Sequence, residues 1–192
     1  MRLEDAHRLI KKLKDADIVL VSESGIRHTL NRLLQRSKWH HVMLYVGLGR
    51  TLEVTPRNGA HICDLLHDLT EKHYREIKVL RMPRLTDRQR KAIVKDAVKT
   101  FVHKKFSWLQ YGKIIIGRTL ELWGKEGNKS MVCKPGHKCN MSSIACSNMV
   151  AIAYFENGFS ISEKYMPEYV VPRDYEEAKV LKKIVDRKFR TS

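Results

Sequence analysis

The chain has no run of eighteen apolar residues, so no part of it reads as a transmembrane helix. Its first twenty residues, MRLEDAHRLIKKLKDADIVL, lack the apolar core and small-residue cleavage site of a secretory signal. Cysteine is scarce, at four in 192 residues. Four thiols with no secretory signal argue for reduced side chains rather than a disulfide scaffold. A cytoplasmic protein is the expectation, although a trimmed export signal would leave the same sequence. Acidic residues are also few: 21 Asp and Glu stand against 37 Lys and Arg, a formal net charge of +16. Such an excess favours contact with something anionic, whether nucleic acid, a lipid headgroup surface or a wall polymer. Zinc-finger spacing, RNP-type aromatic runs and helix-turn-helix patterns are all missing. Nucleic acid is therefore a partner that charge admits and no motif favours. Internal repeats and low-complexity tracts are absent too.

What remains is an ordinary globular composition, 43% hydrophobic and 30% charged, with enough length for one well-filled domain over residues 1–192. Residues 3–14 have a helical apolar side of Leu3, Leu9, Ile10 and Leu13, and DIVLVSE (17–23) has the β-branched density of a strand. GIRHTLNRLLQRS (25–37) returns to a helical period through Ile26, Leu30, Leu33 and Leu34. HHVMLYVGLGRTLEVTP reads as a hairpin, and REIKVLRMP as a further strand ended by Pro83. A cap at Thr86 or Asp87 opens a long amphipathic helix, and WLQYGKIIIGRTLELWG is a helix weakened by Gly112 and Gly117. The basic runs HRLIKKLK, RQRKAIVKDAVK, FVHKKF and VLKKIVDRKFR read mostly as solvated helix faces. YMPEYVVPRDYEEA is a proline-bounded extended segment with a short helix at its end. The fold class expected from this pattern is α+β.

One stretch carries chemistry. SSIACSNMVAIAYFENG (142–158) is almost wholly apolar, with Ser142 or Ser143 placed to cap a helix and Gly158 placed to stop it. Cys146 falls in the first turn. A buried cysteine is often only a small hydrophobe, but a helix N-terminus also stabilises a thiolate and so suits a nucleophile. A nucleophilic thiol needs a base, and the base an orienting acceptor. His41 opens a strand in which Val42, Leu44 and Val46 form one face and His41, Met43 and Tyr45 the other. If Gly47-Leu48-Gly49 is a three-residue loop, Val46 pairs with Arg50 and Met43 with Glu53, and His41 and Glu53 become diagonal neighbours on one face. A four-residue loop would separate them. His40, the rival base, falls on the other face and is expected to be buried or simply exposed. In the basic loop at 124–141, CKPGHKC brings Cys133, His137 and Cys139 close together. Zinc with Cys63 or another histidine as a fourth ligand, a Cys133–Cys139 disulfide and free thiols are the alternatives there, and free thiols are preferred because the spacing matches no standard knuckle. No cofactor and no metal are expected.

The order of these parts resembles the permuted papain-like cysteine hydrolases of the NlpC/P60 superfamily, in the YiiX/YebB-like branch related to lecithin:retinol acyltransferase. That branch runs from a Gly-Asp strand to an S-x-x-x-H-V-x-x-Y-x-G hairpin ending in Glu-Ala, then to a late C-S-E-L-V helix. Here ADIVL (16–20), SKWHHVMLYVG (37–47), LEV (52–54) and CSNMV (146–150) stand in the same order. The resemblance spans about Asp17 to Pro172 and implies a papain-like antiparallel sheet packed against helices. It implies Cys146 as nucleophile, His41 as base and Glu53 as the third, orienting residue. The chain departs from the pattern at Ala16 for Gly, at Phe106-Ser107 for Tyr-Asp, and at Asn148 for the Glu after the cysteine. The expected activity is thiol-dependent hydrolysis of an amide or ester bond, in a peptidoglycan-type peptide or a lipid acyl group, with an anionic substrate favoured by the charge. An acyltransferase, or a non-catalytic basic module binding nucleic acid or an anionic membrane surface, are the rival readings.

Overall fold

The computed structural model describes residues 1–23, 37–72, 74–122, 139 and 144–189. The helix read at 25–37, the cysteine-bearing loop with Cys133 and His137, and the capping serines 142 and 143 lie outside the described residues, apart from Ser37 and Cys139. Six strands form one antiparallel sheet: β1 (Ile18–Glu23), β2 (His41–Gly47), β3 (Arg50–Thr55), β4 (Gly59–Asp64), β5 (Tyr74–Arg81) and β6 (Lys182–Lys188), in the order β4-β3-β2-β1-β5-β6. The helices are α1 (Leu3–Ile10), α2 (Leu65–Glu71), α3 (Asp87–Phe101), α4 (Trp108–Leu122), α5 (Cys146–Phe155) and α6 (Pro172–Glu177), with a 3-10 turn at Pro167–Tyr169. Among the described residues no helix is long and apolar enough to cross a membrane.

Both faces of the sheet are covered, which explains why β1 is apolar without alternation. Ile18 and Leu20 point into a core shared with Ile93, Ala97 and Phe101 of α3 and with Met149 to Tyr154 of α5. Val19 and Val21 point the other way, into a second core closed by Ala6 and Leu9 of α1 and by Leu65 and Leu69 of α2. β2 divides in the same manner, Val42 and Leu44 to the first core and Met43 and Tyr45 to the second. Thr86 caps α3 through a reciprocal pair, its hydroxyl accepting from the Gln89 N–H at 3.3 Å while the Gln89 amide oxygen accepts from the Thr86 N–H at 2.9 Å.

Three basic or polar stretches differ from their sequence reading. VLKKIVDRKFR is not a helix face: Lys182–Lys188 add an edge strand to β5. The two apolar residues within the strand, Ile184 and Val185, lean on the second core, and its lysines discourage further pairing at the exposed edge. FVHKKF closes α3 and turns at His103 (φ 72°), after which Phe106 bridges Ile144. Residues 57–72, which have no assigned element in the sequence reading, contain the whole of β4 and α2. Gly59 (φ 67°) makes β4 possible here, because a Cβ at that position would lie 2.4 Å from the Lys104 carbonyl oxygen.

Asp17, fully buried, organises the start of β1. Its carboxylate accepts from Arg81 Nε at 2.7 Å and Nη2 at 2.6 Å, from the Lys14 N–H at 2.9 Å, and lies 3.6 Å from Arg90 Nη1. Its neighbour Ala16 has φ 61°, in the left-handed region where the resembling family has glycine, and its N–H donates to the Tyr45 carbonyl at 2.9 Å. Removing one partner from a buried ionic cluster leaves uncompensated charge, so Asp17→Ala is expected to cost about 3–5 kcal/mol of stability. Arg8→Ala, which breaks a solvent-exposed pair with Glu4, is expected to cost about 0.5 kcal/mol or less. Urea denaturation of the two variants checks the contrast, and equal midpoints would remove Asp17 from its structural role.

Candidate functional site

The hairpin reaches its register by a different route from the three-residue loop expected of Gly47-Leu48-Gly49. Gly47 pairs with Arg50 across a two-residue turn, Leu48-Gly49, in which both residues have positive φ (52° and 72°). The ladder then shifts by one residue between Tyr45 and Gly47, so that Tyr45 faces Thr51 and Leu44 faces Leu52. Val46 is the extra residue of a bulge. Continued one step, this register sets Met43 opposite Glu53 and puts His41 and Glu53 on the same face.

His41 Nε2 lies 2.7 Å from Glu53 Oε2. That contact leaves Nδ1 for the Cys146 thiol, which is hydrogen-bonded to the ring. The paired ladder between β2 and β3 stops at Leu44 and Leu52. Beyond that point the Val42 N–H is available to the helix layer, and it donates to Cys146 Sγ together with the Ser147 N–H. In this way the first residue of α5 meets a histidine that belongs to the sheet. His40 is held elsewhere: its Nδ1 accepts from the Glu23 N–H at 3.1 Å, and its Nε2 lies 3.6 Å from the Glu23 carboxylate.

Helix α5 begins at Cys146 with Ala145 at the N-cap. The cap is supplied from inside the helix, since Asn148 Oδ1 accepts from the Ala145 N–H at 2.5 Å. The Asn148 Nδ2 donates to the Glu168 carbonyl at 3.3 Å, and that same carbonyl accepts from Gln110 Nε2 at 3.1 Å. Behind the thiol, the fully buried Tyr175 hydroxyl donates to the Ser147 carbonyl. The first turn of α5 is thus tied to α4, to the 3-10 turn and to α6.

Burial opposes charge on both members of the thiol–imidazole pair. It is outweighed at His41 by the Cys146 charge and hydrogen bond and then by Glu53, which together push the imidazole up to about 10. At Cys146 the His41 charge and hydrogen bond, with the Val42 and Ser147 N–H groups, bring the thiol below its ordinary value. Glu53 is 2% exposed. Burial raises its pKa, but the hydrogen bond and charge of His41, the Cys63 S–H and the Lys72 cation bring it down to about 2. Its contribution to stability is therefore complete above the ordinary carboxylate value and is lost as pH falls toward 2.

Two residues beside Glu53 have no place in the sequence-derived triad. Cys63 donates to Glu53 Oε1 at 3.0 Å, and His61 Nε2 lies 3.4 Å from the same oxygen. Burial and Glu53 push the Cys63 thiol up to about 12. Their signal in the sequence is the alternation in HIC at 61–63, two polar residues flanking Ile62 with strand period.

No family model matches the chain, and no curated protein matches it. Among solved structures, it is similar to the metalloprotein YiiX from Escherichia coli O157:H7, with a TM-score of 0.65 and 13% sequence identity. The match covers 92% of this chain and 99% of that one. The chain therefore has the α+β fold of YiiX, an antiparallel sheet packed against helices.

The two cysteines beside Glu53 and His41 differ in the direction of their shifts, and alkylation reads that difference. An ordinary thiol with a pKa of about 8.5 is only about a per cent thiolate at pH 6.5. Cys146, lowered, is expected to react with iodoacetamide at pH 6.5 at least about tenfold faster than Cys63, raised. His41→Ala should move the Cys146 rate profile to higher pH. Peptide mass mapping checks this, and Cys63 labelled as fast as Cys146 at pH 6.5 would refute it.

Proposed function

We propose that this protein is a thiol-dependent hydrolase of amide or ester bonds, with Cys146 as nucleophile, His41 as proton carrier and Glu53 as its orienting partner. The observation that carries the reading is the His41 ring, bonded through Nε2 to Glu53 and, with that nitrogen taken, through its other nitrogen to the Cys146 thiol. A thiolate beside an imidazolium is the reactive form of such a pair, and the shifts at both groups favour it.

The thiolate attacks the substrate carbonyl carbon, and the carbonyl electron pair moves to oxygen. The Cys146 N–H, at the first helical position where no intrahelical acceptor exists, is placed to stabilise that oxyanion. The imidazolium gives its Nδ1 proton to the leaving amine or alkoxide as the carbon–nitrogen or carbon–oxygen bond breaks. A thioester on Cys146 remains. Water attacks it while His41 Nδ1 takes the water proton, the carbon–sulfur bond breaks, and a carboxylic acid leaves with the thiolate restored. Glu53 Oε2 accepts from Nε2–H throughout and holds one ring orientation. The excess of cations favours a substrate carrying negative charge. If this chain, like the metalloprotein YiiX, holds a metal ion, the donors that fit among the described residues are Glu53, His61 and Cys63. Such an ion would supply positive charge beside the carboxylate, and the steps above use the chain's own residues alone.

Hydrolysis of a short-chain chromogenic ester tests the assignment. Cys146→Ala is expected to abolish turnover, and His41→Ala to lower kcat by about 10²–10⁴. Glu53→Gln should retain more activity than His41→Ala, since an amide oxygen still accepts from Nε2–H. Turnover unchanged in Cys146→Ala would end the proposal. Loss in Glu53→Gln equal to that in Cys146→Ala would give Glu53 a part beyond orientation.

A further inference from the structure

Glu53 divides its two oxygens between different partners. Oε2 belongs to His41 at 2.7 Å, whereas Oε1 faces Cys63 Sγ at 3.0 Å and His61 Nε2 at 3.4 Å. The sheet dictates this grouping. Glu53 and His61 are direct partners across the β3–β4 ladder, and Cys63 lies two residues along β4, on the same face. One donor atom from each of the three residues falls within 4.8 Å of the others.

We propose that Glu53, His61 and Cys63 form a binding site for a single divalent cation of the zinc class. His61 Nδ1 lies 2.9 Å from the Gly59 carbonyl oxygen. A carbonyl only accepts, so Nδ1 carries a hydrogen, and the ring is held with Nε2 toward Glu53 Oε1. Nε2, Oε1 and the Cys63 sulfur thus converge from two neighbouring strands, the arrangement that a bound cation uses. The carbonyl that orients His61 is itself fixed, because Gly59 is packed against the Lys104 backbone. Such outer-shell support is usual for a ligating histidine.

The spacing suits a small ion. Zinc bonds of about 2.0–2.1 Å to oxygen and nitrogen and about 2.3 Å to sulfur, at tetrahedral angles, separate the donors by roughly 3.3–3.6 Å. The His61 separation at Oε1, 3.4 Å, falls in that range, and the Cys63 separation, 3.0 Å, falls a few tenths of an ångström short of it. A mixed nitrogen, oxygen and sulfur set selects zinc over magnesium or calcium, which take oxygen donors. His61 is 27% exposed along its side chain and β4 is the edge of the sheet, so entry and a fourth, water ligand are both available. Lys72 Nζ, 3.9 Å from Oε1, competes for this carboxylate, but it already bonds Asp68 at 2.7 Å and its side chain is 39% exposed, so it has another partner when an ion enters. Binding transfers the Cys63 proton to solvent and leaves the Oε2–His41 contact in place. The site uses neither the Cys146 thiol nor its chemistry.

Cobalt(II) reports a thiolate ligand by a sulfur-to-metal charge-transfer band, and the test is run on a chain in which Cys63 is the sole thiol. In the variant Cys133→Ser, Cys139→Ser, Cys146→Ala, one equivalent of Co2+ is expected to produce that band, and one equivalent of Zn2+ to abolish it. Adding His61→Ala should weaken Co2+ binding at least about tenfold, as losing one of three protein ligands requires. Folding of each variant is verified by its thermal transition. In parallel the otherwise native chain, stripped of metal, is titrated with Zn2+ against a chromophoric chelator, where one tight equivalent should be present and should be lost in His61→Ala. A folded chain that gives no band with stoichiometric Co2+, or a Zn2+ equivalent indifferent to His61→Ala, would overturn the site. Neither outcome bears on turnover by Cys146.

Discussion

A carboxylate that is 2% exposed is the constraint around which one end of the sheet is built. Water cannot solvate Glu53, so protein groups must, and the residues around it answer that need from several elements. His41 comes from β2, Cys63 from β4, and Lys72 from the end of α2. Truncating Glu53 would leave those donors facing one another with nothing to accept. The carboxylate also explains why the two neighbouring thiols differ. Cys63 donates to an anion and so keeps its proton, whereas Cys146 faces the imidazole that the anion supports and so tends to lose it. One buried charge thus sets opposite directions for two cysteines on neighbouring elements.

The sheet–helix junction follows from where a ladder ends. β2 is paired to β1 from His41 to Leu44, but to β3 only from Leu44 to Gly47. The His41 end of β2 is therefore anchored on one side and open on the other, and helix α5 enters there. The first core holds α5 against Val42, Leu44 and Leu52, and Asn148 reaches back to Ala145 and across to Glu168. Asn148 stands where the resembling family carries glutamate. In this chain its amide uses both an acceptor and a donor to fix the helix start, a combination that an ionised carboxylate, which only accepts, does not offer.

How much was legible in the sequence depended on whether a segment's pattern is local. β1, α3 and α5 are apolar or amphipathic over lengths that admit one period, and each lies where that period puts it. β6 was misread as a helix because KKIVDRK has only two adjacent apolar residues, and its state is decided by the free edge of β5. β4 and α2 share a short polar stretch, GAHICDLLHDLTE, whose halves are each too brief to show a period, so neither was assigned. The route to the His41–Glu53 juxtaposition was also wrong in detail, a two-residue turn with a bulge at Val46 in place of a three-residue loop. The two routes agree beyond the bulge because each sets Met43 opposite Glu53. The sequence offers Cys63 only as a fourth zinc ligand for the 124–141 loop and does not single out His61, for a related reason: a spacing of two marks a shared face only after the segment is known to be a strand.

Cys146 raised a choice between packing and reactivity, and the structure makes that choice less sharp than it looks. The residue is half-buried and packs against the first core, as a small hydrophobe would. It also touches a charged ring and two backbone N–H groups, as a packing cysteine need not. The two descriptions support each other physically. Burial strips the thiol of water, which alone would raise its pKa, but it also lowers the local dielectric and strengthens each remaining attraction. A solvent-exposed cysteine at the same distance from an imidazole would feel both effects weakly. The core behind α5 is thus part of what makes the His41 charge effective, and a substitution such as Met149→Ala would act on the thiol through the position of the helix start without touching it.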